Sequence, residues 1–458
     1  MKVVIVGAGE VGTGLAETLC LEKNAVVVID LDNDLLRNLS NKFDLMIING
    51  NGASGKVLSE AEIKDANLMV AVTESNEVNV LSCHTAKTLN PSLRTICRVN
   101  DTDYFNEDES FDLKNFGIDH LVVPQKECAQ TILDVLAGPN LKEITKLSVE
   151  GAVICGFHLS PGSAMVGTQL LSFPRPDLLD KIRVCAIWRR GKLIIPRGKE
   201  RFNNYDDVYV AGERSEVLAL AEWSCLDEKK VNNIVIGGAT ELGTYLVDEL
   251  SKEGKNVTLV ESDERLAERA LKKLESSVNI LHGNITDSDI QKEAGVDAAD
   301  LYLSAMNSDE NNILSCLLAK RKGAEKVITI INKPDYREII SSMENIDGCF
   351  SPRTAALNSI INLIQGENRR IGAILHRISA EVFEMTVVPK SRVVGKTISE
   401  SACPRGAVFA MIFRGNVIIP ATGDQIFQVG DLVVMMGEQY ALKKAQALFA
   451  PKSIMGLL

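Results

Sequence analysis

Val3-Val4-Ile5-Val6-Gly7-Ala8-Gly9-Glu10-Val11-Gly12-Thr13-Gly14-Leu15 sets four apolar residues before glycines spaced Gly-x-Gly-x-x-Gly. The apolar run reads as a short strand, and residues 13–21 read as a helix. In that context each glycine has a job. Gly7 allows the tight turn, Gly9 lets backbone approach a pyrophosphate, and Gly12 lets the helix pack closely on the strand. The helix start offers unpaired N–H groups and a positive dipole end to phosphate. Asp30 closes the next apolar run, 23 residues after Gly7. A carboxylate there accepts hydrogen bonds from both ribose hydroxyls and repels a 2′-phosphate, which disfavours NADP. The alternative is a purely structural turn.

Residues 26–29, 45–48, 68–72 and 95–99 are further short apolar runs, with helical patterns such as 78–89 between them. Strands covered on both faces by helices read this way. The alternation specifies an α/β fold with a doubly wound parallel sheet.

The unit is written twice. Shifting by 231 positions lays Ile234-Val235-Ile236-Gly237-Gly238-Ala239-Thr240-Glu241-Leu242-Gly243 over the opening stretch and Glu261 over Asp30. Further on, Asn79-Val80-Leu81-Ser82-Cys83 lies over Asn312-Ile313-Leu314-Ser315-Cys316, Asp103-Tyr104 over Asp335-Tyr336, and Pro124 over Pro352. A second, distinct part also repeats: Arg190-Gly191-Lys192-Leu193-Ile194-Ile195-Pro196 resembles Arg414-Gly415-Asn416-Val417-Ile418-Ile419-Pro420. Short apolar strands with Gly and Pro turns make this part a small β-rich domain. The order is A-B-A′-B′, with expected domains 1–138, 139–228, 229–366 and 367–458.

The copies differ where ligand would bind. Thr240 replaces Gly9, and its side chain is expected to crowd the place where backbone meets phosphate. Glu261 can still bridge a ribose, so the second copy is either an altered site or a fold-only copy. In the first copy, Asn51 follows the third strand, and Thr73 and Glu74 follow the fourth, at the strand ends where ligands sit. Both segments also read as ordinary helix-capping turns. Arg98 ends the fifth strand and either pairs with phosphate or forms a structural salt bridge. The matching positions of Thr73 and Arg98 are Met306 and Ile330.

Composition narrows the function. The chain has 458 residues and a net charge of −11, which argues against nucleic-acid binding, since that needs a basic face. The longest uninterrupted apolar run, 407–413, falls far short of the roughly 20 residues of a transmembrane helix. The start of the sequence lacks a signal-peptide pattern. Any membrane role is therefore expected through a protein partner. Ten scattered cysteines without a Cys-x-x-Cys pair, and five distant histidines, suggest a reduced compartment and no metal site. Cys83 and Cys316 read as core, and Ser163 and Ser391 as turn residues. No general acid or base is evident, so a hydride-transferring enzyme is not expected.

With these residues assembled, the chain resembles the TrkA-type regulatory subunits of Trk potassium-uptake systems. The resemblance rests on the A-B-A′-B′ order, Gly7-Ala8-Gly9-Glu10-Val11-Gly12, Asp30, Thr73-Glu74, Arg98 and the Gly-x-x-Ile-Pro turns. It implies two tandem RCK (regulator of potassium conductance) units. Each would be a Rossmann-like domain followed by a small β-rich α+β C-terminal subdomain. It also implies a cytoplasmic, non-enzymatic protein that forms a homotetrameric ring and docks on an integral membrane potassium channel or transporter. NAD or NADH, and in some members ATP or ADP, would bind the Rossmann-like parts. The resemblance places the first site at Gly7, Ala8, Gly9, Glu10, Val11, Asp30, Thr73, Glu74 and Arg98. It places the second at Gly238, Ala239, Thr240, Glu241, Leu242 and Glu261. The rival readings are an NAD-dependent oxidoreductase and a nucleotide sensor without a membrane partner.

Overall fold

The structure is a computed structural model. It describes residues 1–450 except 22, 101–112, 139, 226–230, 275–277, 342, 344, 365–372, 376, 377 and 379. Asp103-Tyr104, His376, and the expected boundaries near 139, 227–230 and 366–368 therefore lie outside the described residues.

The first copy runs β1 (Lys2–Val6), α1 (Glu10–Leu21), β2 (Ala25–Asp30), α2 (Asn33–Lys42), β3 (Met46–Asn49), α3 (Gly55–Glu60), β4 (Leu68–Ala71), α4 (Asn76–Leu89), β5 (Arg94–Arg98), β6 (His120–Val122) and α5 (Pro124–Leu136). The first small domain continues with β7 (Leu141–Lys146), β8 (Ala152–His158), α6 (Pro176–Leu179), β9 (Ile182–Arg189), β10 (Lys192–Ile194), β11 (Asp207–Glu213) and α7 (Arg214–Ser224). The second copy is β12 (Asn233–Gly237), α8 (Glu241–Lys252), β13 (Asn256–Glu261), α9 (Glu264–Lys273), β14 (Asn279–His282), α10 (Ser288–Glu293), β15 (Leu301–Ser304), α11 (Asp309–Lys322), β16 (Lys326–Ile330), α12 (Pro334–Ser341), β17 (Gly348–Phe350) and α13 (Pro352–Ile364). The last part is β18 (Ala373–Leu375), β19 (Ala380–Thr386), β20 (Ala407–Arg414), β21 (Val417–Pro420), β22 (Leu432–Gly437) and α14 (Gln439–Phe449).

Two compact units emerge, and they group like with like. One holds 1–131 with 232–363, and the other holds 132–231 with 364–458. The first unit contains two six-stranded sheets of orders β3-β2-β1-β4-β5-β6 and β14-β13-β12-β15-β16-β17. Their ladders are parallel. Central strands are dry on both faces: β4 is fully buried, and Val3, Val4 and Ile5 of β1 are inaccessible. That burial explains continuous apolar runs rather than alternation. Each sheet reverses its order between its first and fourth strands. The carboxyl ends there form the crevice in which such sheets take ligands.

The second unit contains two five-stranded antiparallel sheets, β10-β9-β11-β8-β7 and β18-β19-β22-β20-β21. A single core joins Ile154, Tyr209 and Ala211 of one sheet to Val382, Ala410 and Val434 of the other. The Arg190-Gly191 turn is a two-residue hairpin closed by Arg189 opposite Lys192, with both turn residues at positive φ. Such a turn matches the twist of the paired strands. Ser163 and Ser391 lie in turns, their amides bonded to the Ser160 and Val388 carbonyls. Among the described residues, no helix is long and apolar enough to cross a membrane.

Candidate nucleotide site

The glycine loop leaves β1 and enters α1 at Glu10, three residues earlier than the pattern suggested. Gly7 stands at φ +111°, and a Cβ there would sit 3.0 Å from the Thr73 amide nitrogen. A Cβ on Gly12 would lie 1.9 Å from the Gly7 carbonyl oxygen. The turn and the close approach thus admit no side chain. Gly9 is different: a Cβ there meets nothing within 4 Å, so its position opens outward. Ala8 and Val11 are buried, while Gly9 and Glu10 are exposed.

Asp30, at the end of β2, holds the loop from behind. Its Oδ2 accepts the Ala8 N–H at 2.5 Å, and its Oδ1 accepts the Asp32 N–H at 2.8 Å. Each carboxylate oxygen keeps a lone pair for a further donor such as a ribose hydroxyl. Asn51 forms a turn of its own, its Oδ1 accepting the Ala53 N–H at 2.9 Å. That turn approaches the end of β1 at Gly52, where a Cβ would collide with the Val6 side chain.

Thr73 is tied inward. Its amide and hydroxyl both donate to Asn79 Oδ1, at 2.9 and 2.7 Å. The Asn79 amide returns bonds to the carbonyls of Thr73 and Arg98, each at 2.9 Å. One fully buried side chain therefore clamps the ends of β4 and β5. Glu74 is exposed next to them, its carbonyl accepting from Asn100 at 3.2 Å.

The Arg98 guanidinium donates to Asn100 Oδ1 at 3.0 Å, but its buried Nε has no partner among the described residues. Burial and then the nearby Arg353 guanidinium make Arg98 a poorer proton holder, against the pull of Glu74. Arg353 belongs to the second copy, one residue into α13, and forms an ion pair with Glu10. The structure thus brings Gly7 to Val11, Asp30, Thr73, Glu74 and Arg98 to the carboxyl end of one sheet, with a cation from the other copy beside them.

The second copy repeats the scaffold. Gly238 stands at φ +108°, and a Cβ on Gly243 would meet the Gly238 carbonyl at 2.1 Å. Glu261 repeats the Asp30 contacts, taking the Ala239 N–H at 2.6 Å and the Asp263 N–H at 2.8 Å. The longer side chain is almost fully buried. Thr240 alters the loop by a further route. Its hydroxyl donates to the Ala305 carbonyl at 2.7 Å and accepts the Gly243 N–H at 3.2 Å, so the side chain caps α8 itself. A helix-start amide that α1 leaves without a side-chain cap is here already engaged.

A cavity of about 360 Å³ opens at this second loop, lined by Ala239, Thr240, Glu241, Leu242, Met306 and Asn332. Gln125 and Lys126 of the first copy and Arg269 and Lys273 of α9 also line it, but Glu261 does not.

Cys83 and Cys316 are fully buried. Hydrogen bonding to Cys97 and burial push the Cys83 thiol up, and burial pushes Cys316 up. Neither is disposed to act as a nucleophile.

Sequence reading missed Asn79, its counterpart Asn312, and Arg353. A signal for Asn79 was present: it shares the 79, 83, 86 face of a helix with buried Cys83 and Ala86. Arg353 carried none, because its partner lies 343 positions away.

The TrkA-N domain family matches residues 3–124 and again 234–352, and the TrkA-C domain family matches 382–450. The Trk system potassium uptake protein TrkA homolog 1 of Methanosarcina mazei is 31% identical over 98% of this chain and 100% of its own length. The chain belongs to the TrkA family. Another member, the Trk system potassium uptake protein TrkA of Haemophilus influenzae, is 30% identical over 99% of both chains. Among solved structures, the GsuK RCK domain superposes with a TM-score of 0.60 at 17% identity, covering 98% of this chain and 94% of that one. The GsuK channel bound to NAD gives a TM-score of 0.60 at 17% identity, covering 98% and 78%. These likenesses extend the family's fold to the whole chain: two parallel-sheet domains, each followed by a β-rich subdomain.

Proposed function

We propose that this TrkA-family chain is a nucleotide-sensing regulatory subunit of a potassium uptake system. The observation that carries the reading is the first glycine loop, with Gly9 open, Asp30 behind it and the buried Nε of Arg98, unpartnered among the described residues, beside it. The chemistry fits a dinucleotide: helix-start amides and a guanidinium for phosphate, a carboxylate for ribose. Gly7, Ala8, Gly9, Glu10, Val11, Asp30, Asn51, Thr73, Glu74 and Arg98 would hold NAD or NADH, with ATP or ADP as competing ligands. Gly238, Ala239, Thr240, Glu241, Leu242 and Glu261 would form an altered second site. The four-part division at 138, 228 and 366 belongs to the same reading. So do a cytoplasmic location, a homotetrameric ring, and docking on a Trk-type integral membrane channel or transporter as the only membrane contact.

Such a protein acts without turnover. Nucleotide binds one conformation of the ring better than another, and that difference in affinity biases the attached channel. The coupling is reciprocal, so channel state must alter nucleotide affinity by the same factor. The test is co-purification of the full chain with a potassium-transporting membrane subunit, followed by nucleotide-dependent potassium flux in vesicles. Flux that changes with NADH or ATP supports the reading. Oxidation of NADH with an organic substrate in place of gating would make the chain an oxidoreductase, and nucleotide binding without a membrane partner would make it a stand-alone sensor.

A further inference from the structure

The two copies of the first unit touch through their connecting helices. A Cβ on Gly14 of α1 would lie 2.8 Å from Leu357 Cδ2 of α13, and Arg94 Nη2 donates to the Leu363 carbonyl at 2.6 Å. Reciprocally, Lys126 of α5 lies 5.9 Å from the centre of the Tyr245 ring on α8. The helix that leaves each copy thus starts beside the glycine loop of the other. Pro352 lies over Pro124, which sets Arg353 over Gln125.

We propose that Arg353, from the second copy, is a phosphate-binding residue of the first copy's nucleotide site, and that it selects ligands carrying at least two linked phosphates. This rests on the nucleotide reading above. Three observations support it. Arg353 pairs with Glu10, the first residue of α1, so its guanidinium sits where the helix start favours an anion. Arg98 lies close enough to be destabilised by the Arg353 charge, and its buried Nε has no partner among the described residues. Two guanidiniums near the start of α1, with the exposed carboxylates of Glu10 and Glu74 beside them, suit an oligophosphate. Planar forks of this kind suit bidentate phosphate contact. A phosphate that takes Arg353 from Glu10 ties the two copies together, so binding reports on their packing. The second cavity has Gln125 at the matching place, which extends the asymmetry between the sites.

Calorimetry on the full chain tests this, with AMP, ADP and ATP titrated into wild type and Arg353→Ala. The expected result is an ADP and ATP affinity lower by about ten- to hundredfold in the variant, as for a lost charge-assisted contact, with AMP within about twofold of wild type. Arg353→Lys keeps the charge near Glu10 but lacks the fork. It is expected to fold as wild type and lose about three- to tenfold for ADP. Equal ADP affinity in wild type and both variants, or equal losses for AMP and ADP, overturns the proposal while leaving the nucleotide site standing. Failure of wild type to bind any nucleotide overturns the nucleotide reading itself.

Discussion

Replacing Asn79 by Ala removes four hydrogen bonds from a position that water does not reach. The Thr73 N–H and hydroxyl lose their acceptor, and the Thr73 and Arg98 carbonyls lose a donor. A buried polar group left without a partner costs about 1–3 kcal/mol. The hydroxyl can rotate toward the Ser75 carbonyl, 3.2 Å away. Three backbone groups remain, and a water entering the vacated space can satisfy part of their demand. The expected loss is therefore about 3 kcal/mol, near the upper end for single substitutions. Asn312→Ala is expected to cost a similar amount, since Asn312 bonds the Met306 N–H and carbonyl, the Ile330 carbonyl and the Ser304 hydroxyl at 2.7–3.0 Å. Urea unfolding followed by far-ultraviolet circular dichroism, with the transition slope monitored, reads the difference. Hydrogen exchange at the Thr73 amide localises it. A loss below about 1 kcal/mol for Asn79→Ala, with the slope unchanged, would refute the clamp, because at least one of those groups must then have been paired elsewhere.

Gly12→Ala puts a methyl 1.9 Å from the Gly7 carbonyl, so α1 must move away from the loop. Nucleotide affinity is expected to fall at least tenfold, and a calorimetric affinity within twofold of wild type would show that the loop yields freely. His120 gives a pH dependence with a defined sign. Burial, and then the neighbouring Arg94, hold its proton affinity below the usual histidine value of 6.5. Above that value the ring is neutral in both folded and unfolded chains, and stability is full. As pH falls below it, the unfolded chain binds the proton first and stability drops. Comparing urea midpoints at pH 7.5 and 5.5 should show a smaller drop in His120→Gln than in wild type, and equal drops would contradict the assignment.

The parallel sheets were legible because each central strand is buried on both faces, which leaves apolar runs such as Val3-Val4-Ile5-Val6 between helical stretches. The glycine loops were legible because Gly7 and Gly12 answer to local geometry, a positive φ and a contact five residues away. Element starts were less clear. α1 begins at Glu10 and α4 at Asn76, before the first apolar positions of their patterns, because Gly9 and the Ser75 cap set them. β6 spans only three residues, too few to show a period. The grouping of like with like was hidden for another reason. It depends on contacts such as Gly14 with Leu357, which no local pattern encodes. Gly14 stood in the opening stretch without a role, although its counterpart in the second copy is Tyr245. The same blindness concealed Arg353. Thr240 was recognised as a departure, but its bond to the Ala305 carbonyl required the strand order to bring those residues together.

The central claim is one well-formed nucleotide site and one altered site per chain. Calorimetric stoichiometry of NADH binding to the full chain, in wild type, Asp30→Ala and Glu261→Ala, tests it most directly. One tight site per chain is expected, weakened at least tenfold by Asp30→Ala and within about twofold of wild type in Glu261→Ala. Two equal sites per chain, or a tight site lost with Glu261 and kept without Asp30, would contradict it.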